Sequence, residues 1–242
     1  MCTLSFLPVK GGFHLLMNRD EQRSRPAAFP PRLHPCGNLR AIYPSEQGGG
    51  TWIGTNEAGL TAALINWYSR PRLSGQAAFS RGLIIPTLLS SESSAVASLL
   101  MRSLPLHHLD PFRLFLFEAT TRTITFISSD GKHLEAVDLP WERRHWFSSG
   151  YDEPEATRLR GLTCENSDKE SDAGTLPWLR RLHRSHDPAE GPFSLCMHRE
   201  DACTVSMTEV CLSKAKAELT YHSGSPCQES DGARLGISLR KR

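Results

Sequence analysis

Apolar and polar positions alternate along most of this chain in short runs separated by turn residues, with few stretches of helical spacing. Thr3–Leu7 and Phe13–Met17 are apolar runs on either side of Lys10-Gly11-Gly12, which predicts a hairpin. Antiparallel register then folds Asn18-Arg19-Asp20-Glu21 back level with the chain start, placing Arg19 and Asp20 beside Cys2. Residues 22–50, rich in Pro and Arg, predict a long surface loop. Thr51–Thr55 predicts a strand, Asn56–Gly59 a turn and Leu60–Trp67 a mostly buried strand. Ser80 suits the N-cap of a helix that opens at Arg81 and is shortened or kinked by Pro86; Ser93 or Ser94 caps a second helix through Met101. Two hairpin-like pairs follow, Arg113–Glu118 with Thr123–Ser128 and Leu134–Leu139 with His145–Ser148, separated by a turn at Asp130-Gly131.

Beyond these, Glu155–Leu162 and Leu176–His183 read as helices, and Phe193–His198, Thr204–Leu212 and Glu218–His222 as strands. The polar, apolar-poor stretch 165–174 predicts a mobile loop, and 237–242 a basic tail. Antiparallel strand groups interrupted by two helical blocks predict an α+β sandwich of two packed sheets with helices outside, built as a single domain over 1–242.

Composition narrows the function classes. A net charge of +2 and a charged fraction of 22% provide no field for nucleic acid. No apolar stretch approaches the ~20 residues that cross a bilayer, and the start lacks the basic and apolar regions of a signal peptide. Seven cysteines, scattered and without a C-x-x-C pair, argue against a disulfide framework or zinc ribbon and for a reducing compartment, with cytoplasm the expectation. His183 and His186 stand three apart on one helical face, but neither Cys nor carboxylate lies at a zinc-ligand spacing beside them, so no metal is expected.

The candidate chemistry begins at Cys2. A residue this small at position 2 permits removal of Met1, after which one residue carries both a thiol and an α-amine that titrate within about two units of neutrality. The thiolate is a nucleophile and the amine its proton acceptor, so no separate His is required. A nearby Arg favours the thiolate, which predicts an unusually acidic Cys2.

Met-Cys-Thr at the start, Asn18-Arg19-Asp20-Glu21, Gly49-Gly50-Thr51-Trp52-Ile53-Gly54, Ser80-Arg81-Gly82, Leu182-His183-Arg184-Ser185-His186, Cys196-Met197-His198-Arg199, Thr204-Val205-Ser206 and Gly224-Ser225-Pro226-Cys227 resemble the NRDE family, the transport-and-Golgi-organisation protein 2 group. That family is similar to N-terminal-nucleophile hydrolases of the bile-salt-hydrolase and penicillin-acylase kind. The resemblance implies a four-layer αββα sandwich. It implies Cys2 as nucleophile, with Arg19 and Asp20 beside it. Asn56-Glu57-Ala58-Gly59-Leu60 through Asn66 resembles the hydrolases' oxyanion-hole segment, which assigns Asn66 to that role. Asn18, Trp52 and Ser149 are the expected substrate-binding residues. Ser149 stands where the hydrolases carry an Asn, and Cys203 where a basic residue is expected.

The implied reaction is acyl transfer from a small amide, ester or acyl-thioester by an N-terminal cysteine amidohydrolase or acyltransferase that uses no cofactor. The bland reading stays beside it: Arg19 and Asp20 as a structural ion pair, Asn66 as a strand-end hydrogen-bonder, and Trp52 and Trp67 as core aromatics. Eukaryotic relatives imply a different class, a non-enzymatic carrier of haem or of lipid and acyl-CoA. Haem would need an axial His, Cys or Tyr beside an apolar cleft, and nothing in the sequence selects one.

Overall fold

Two antiparallel sheets dominate the computed structural model, which describes residues 2–71, 79–228 and 231–240. The strands are β1 (Cys2–Val9), β2 (Gly12–Gln22), β3 (Phe29–Cys36), β4 (Leu39–Ser45), β5 (Ile53–Asn56), β6 (Leu60–Asn66), β7 (Phe112–Glu118), β8 (Thr123–Ser129), β9 (Leu134–Leu139), β10 (Arg144–Ser148), β11 (Ala202–Leu212), β12 (Lys216–Ser223) and β13 (Ala233–Ser238). The α-helices are α1 (Ile84–Leu88), α2 (Ser94–Arg102), α3 (Glu153–Ser167) and α4 (Leu176–His183). One sheet runs β10-β1-β2-β11-β12-β13, the other β3-β4-β5-β6-β7-β8-β9.

Period-two alternation sorts the side chains into layers. Leu4, Phe6, Phe13, Leu15 and Met17 meet Ile42, Ala63, Ile65, Phe115 and Phe117 between the sheets, with Phe6 stacked on Phe117 at 5.2 Å. The opposite face of β1 and β2 presents Leu7 and Leu16 to Trp178, Leu179 and Leu182 of α4. The outer face of the second sheet, through Leu60, Ala62, Leu114 and Leu116, packs on Ile84, Ile85 and Leu88 of α1 and on Ala97 and Met101 of α2. Helix, sheet, sheet, helix is the αββα order that the resemblance implied. At the β1–β2 turn Gly11 has φ +83°, and a Cβ on Gly12 would fall 1.8 Å from the Leu212 carbonyl oxygen, so neither position tolerates a side chain.

Several elements differ from expectation. Residues 22–50 are not one loop: β3 and β4 form there, and the prolines Pro30, Pro31 and Pro35 sit on the edge strand β3, where a missing N–H breaks no interior ladder. β9 and β10 do not pair: β9 joins β8 and β10 joins β1 in the other sheet, so the short link between them crosses the sandwich. Trp141 on that link packs edge-on against Phe6 at 4.7 Å. Phe193–His198 is irregular rather than a strand; the Ser194 hydroxyl bonds the Gly191 and Cys196 carbonyls and competes with a ladder.

The expected loop 165–174 begins as the last turn of α3, and the turns after it are tied by Arg181 to Glu170 and Asp172, both at 2.8 Å. In the expected basic tail, Ile237 and Ser238 close β13, Arg240 pairs with Glu57 at 2.7 Å, and residues 241 and 242 lie outside the described residues. No helix among the described residues is long and apolar enough to cross a membrane.

Candidate active site

Cys2 opens a strand flanked on both sides. β1 lies between β2 and β10, with Cys2 opposite Arg19 on one and Ser148 on the other, the first of these being the register read from the hairpin. The residue is 8% exposed. A cavity of about 130 Å³ forms over it, and Arg19, Asp20, Trp52 and Asn66 share its lining with Cys2. Asn18 and Ser149, the other two expected site residues, do not.

Arg19 and Asp20 are adjacent on β2 and so point to opposite faces. Arg19 lies over the Trp52 ring at 4.6 Å and donates to Glu21 at 3.3 Å and to Glu46. The carboxylate of Asp20 turns toward the helix layer, where Arg160 of α3 donates to it at 3.1 Å and the Thr204 hydroxyl at 2.6 Å. The two residues therefore do not form an ion pair with each other. Each has a different counter-charge. A register slip in β11 between Thr204 and Ser206 brings Thr204 opposite Asp20, and the Thr204 hydroxyl also accepts from the Met197 N–H at 2.8 Å.

Asn66 ends β6, and its amide donates to the Tyr68 hydroxyl at 2.8 Å. Trp52 is both core and wall: its indole donates to Thr208 at 3.3 Å while its ring backs Arg19. Asn18 is fully buried beneath α4. Its amide donates to the carbonyls of His183 and Leu195 at 2.8 and 2.9 Å, and its oxygen accepts from His183 Nδ1 at 3.0 Å. Ser149 accepts from the Tyr151 N–H at 3.2 Å.

Sequence reasoning missed much of the surrounding frame. Gly82 presses on Gly50 so closely that a Cβ on Gly50 would lie 3.1 Å from the Gly82 backbone, and the Thr51 N–H donates to the Gly82 carbonyl at 2.9 Å. That contact explains why the Gly50 and Gly82 motifs, distant in sequence, lack side chains. Glu46 was hidden in the presumed loop; Arg25 joins it at 2.8 Å and Glu21 at 3.1 Å, which closes a four-residue network with Arg19 at the cavity mouth. Arg160 carried no sequence signal at all.

Burial pushes the Cys2 thiol above its ordinary pKa; the chain's N-terminal charge opposes the rise, the charge of Asp20 adds to it, and Arg19 and a hydrogen bond from the Asp20 backbone oppose it. Met1, whose removal the sequence predicts, lies outside the described residues.

Other features lie apart from Cys2. A neighbouring cavity of about 450 Å³ shares Arg19, Glu21 and Arg25 as its wall and reaches His198, Cys203 and Thr204. A cavity of about 810 Å³ sits at the opposite end of β1, between Val9, Trp141, Leu212 and Leu239. His183 and His186, one helical face in the sequence reading, separate: His183 enters the buried network under α4, and His186 joins Cys196, His198 and Cys227 beyond the helix end.

Residues 1–176 match the profile of the family described as Transport and Golgi organisation 2. No curated protein matches the chain by sequence. Among solved structures, the C2A mutant of the conjugated bile acid hydrolase from Clostridium perfringens is similar over 100% of this chain and 97% of its own, at 11% identity and a TM-score of 0.57. Penicillin V acylase from Agrobacterium tumefaciens is similar over 99% of this chain and 86% of its own, at 12% identity and a TM-score of 0.59. At these identities the likeness is one of fold.

Proposed function

Because the chain belongs to the Transport and Golgi organisation 2 family and folds as the N-terminal-nucleophile hydrolases do, we propose that it is an N-terminal cysteine amidohydrolase or acyltransferase acting on a small amide, ester or acyl-thioester. The observation that carries this reading is that Cys2 shares one cavity with Arg19 and Asn66, while Asp20, which also lines it, turns its carboxylate to Arg160 and Thr204. Both structural neighbours are named for hydrolysis or acylase activity, and one was altered at its own second-position cysteine.

In this reading Met1 is removed and the new α-amine takes the Cys2 thiol proton. The sulfur attacks the substrate carbonyl, and an Asn66 amide hydrogen stabilises the resulting oxyanion. Collapse expels the amine, alcohol or thiol, which takes its proton from the α-ammonium. Water then cleaves the thioester with the amine as base, or another nucleophile takes the acyl group. The small cavity suits the scissile group and a short acyl chain, while the larger neighbour behind Arg19 and Arg25 can take the leaving group. A cytoplasmic setting suits seven unpaired cysteines.

One observation favours the carrier reading. The cavity of about 810 Å³ has an apolar lining beside Lys10, Arg122, Lys214 and Arg240, a fit for an acyl chain with an anionic head group. No His, Cys or Tyr is among the described residues that line it, so it offers haem no axial ligand.

The test joins intact-mass analysis of protein from its native host with acyl-amide and acyl-CoA panels, Cys2→Ala as control, and haemin and fatty-acid titrations alongside. Loss of Met1 and turnover abolished by Cys2→Ala are expected. Retained Met1, or turnover that survives Cys2→Ala, overturns the mechanism. Inertness with stoichiometric acyl-CoA or fatty-acid binding moves the assignment to the carrier.

A further inference from the structure

A second constellation lies beyond the end of α4. His186 comes from the loop after α4, Cys196 and His198 from the irregular segment before β11, and Cys227 from the turn after β12. One ligand atom from each falls within 4.8 Å of all the others. His198 Nε2 lies 3.5 Å from the Cys196 sulfur and 3.4 Å from the Cys227 sulfur. In a tetrahedral zinc site, with bonds of about 2.3 Å to sulfur and 2.0–2.1 Å to nitrogen, the N···S edge is about 3.5 Å. Two edges of such a tetrahedron are therefore already present. The other edges are all within 4.8 Å, against about 3.8 Å for the S···S edge of that site, so closing on the ion takes only a small contraction.

We propose that His186, Cys196, His198 and Cys227 bind a structural zinc ion. The donor set is the S₂N₂ type that selects zinc over the harder divalent cations, and four protein ligands leave no open position for a substrate or a reactive water. Binding converts two neutral thiols to thiolates, forms two Zn–S and two Zn–N bonds, and releases two protons to solvent.

Three further observations support the site. His186 Nε2 is buried with no hydrogen-bond partner, as expected of a nitrogen whose lone pair awaits a metal. The other ring nitrogen of His186 lies 3.9 Å from the Glu190 carboxylate, the outer partner that orients many zinc-bound imidazoles. The backbone is also set in place around the cluster. The Cys196 N–H donates to the Ser185 carbonyl at 3.0 Å, the His198 N–H to Gly191 at 3.2 Å, and the Gly224 N–H to Val205 at 2.8 Å.

The sequence reading expected no metal because it paired His186 with His183 and looked for ligands nearby. The proposed set runs from residue 186 to residue 227 and includes the Cys-x-His of 196–198 and the last cysteine of the chain. The ion would tie the turn after β12 to the segment before β11. Met197, between two of the ligands, donates to the same Thr204 hydroxyl that holds Asp20. The site thus stiffens the far wall of the cavity behind Arg19 independently of whether Cys2 is a nucleophile.

The test begins with protein expressed in zinc-supplemented medium, purified under reductant, and assayed for metal by mass spectrometry. Cobalt(II) is then titrated into the metal-free protein. One zinc per chain is expected, with the intense visible bands of tetrahedral cobalt and thiolate-to-cobalt charge transfer in the near ultraviolet. Cys227→Ser and His186→Asn, both at half-buried positions, each weaken binding at least about 100-fold, more than loss of an outer-sphere partner does. Cys211→Ser, outside the cluster, retains the metal. Circular dichroism confirms that each variant is folded. Folded wild-type protein without stoichiometric zinc or cobalt bands overturns the proposal. So does equal metal content in the Cys227→Ser and His186→Asn variants, or a Cys196–Cys227 disulfide found in the reductant-purified protein.

Discussion

Arg160 and Asp20 have no exposed side-chain surface, and their contact at 3.1 Å joins α3 to the strand that carries Arg19. Removing the cation alone leaves a buried carboxylate without its counter-charge. We expect Arg160→Met to cost about 3–5 kcal/mol and the double variant Arg160→Met/Asp20→Asn clearly less, read from urea unfolding midpoints. A single variant that costs under about 1 kcal/mol would show that the pair is dispensable. This anchor was invisible in the sequence because its members are 140 positions apart. Cys2, Arg19 and Asp20 were legible as neighbours for the opposite reason: a short hairpin with a glycine turn leaves only one register to count. That the charges of Arg19 and Asp20 part company follows from strand alternation, which the reading of the pair as neighbours or as an ion pair left out; which acid met Arg19 was not legible either. Glu46 follows a proline-bearing strand that reads as loop.

At the level of elements, α4 is held to its sheet by polar contacts as well as by its apolar stripe. Arg180 grips Glu209 of β11 at 2.7 Å. His183 Nδ1 donates to Asn18, and its Nε2 lies 2.8 Å from the Ser5 hydroxyl, which in turn meets His145 Nδ1 at 2.7 Å. With His183 neutral and its Nδ1 donating, Ser5 donates to its Nε2 and accepts from His145 Nδ1. Burial holds His183 down at about 3 and His145 at about 4. In the unfolded chain both return to about 6.5, so that state binds more protons in acid. Stability is complete above about pH 6.5 and falls as pH drops toward 4, each histidine adding a slope of at most about 1.4 kcal/mol per unit. His183→Gln should flatten that slope in urea titrations at stepped pH, whatever it does to absolute stability; an unchanged slope would discount the network. Helix positions were readable from caps and spacing, as at Ser80 and Ser93. Strand partners were not always: nothing local tells β10 to cross the sandwich and lie beside β1, since that choice is made by the layer it completes.

For the whole molecule, the order of pairing matters more than the order of residues. β1 and β2 are made first, yet β2 has its other neighbour in β11, and β12 and β13 continue the sheet from there. A chain ending at residue 176, the limit of the family match, would lack all three strands and α4 and would leave β2 with a bare edge. We expect such a fragment to aggregate or to give a dispersionless amide spectrum; a cooperative unfolding transition would refute this. The overall sandwich was legible because it follows from counting apolar faces, whereas the final strand Ala233–Ser238, exposed along most of its length, lacked the apolar run that marks the others. One consequence concerns parity. In β11 the even-numbered residues Thr208 and Val210 face the other sheet, one bonding Trp52 and the other in the shared core, while Met207 faces the helices. Thr204 is even yet meets Asp20 on the helix side. The extra residue at Val205 is what turns it over. A relative that lacks one residue between Thr204 and Ser206 could keep both side chains and still aim its threonine away from Asp20, so at this point the site is sensitive to chain length before it is sensitive to residue identity.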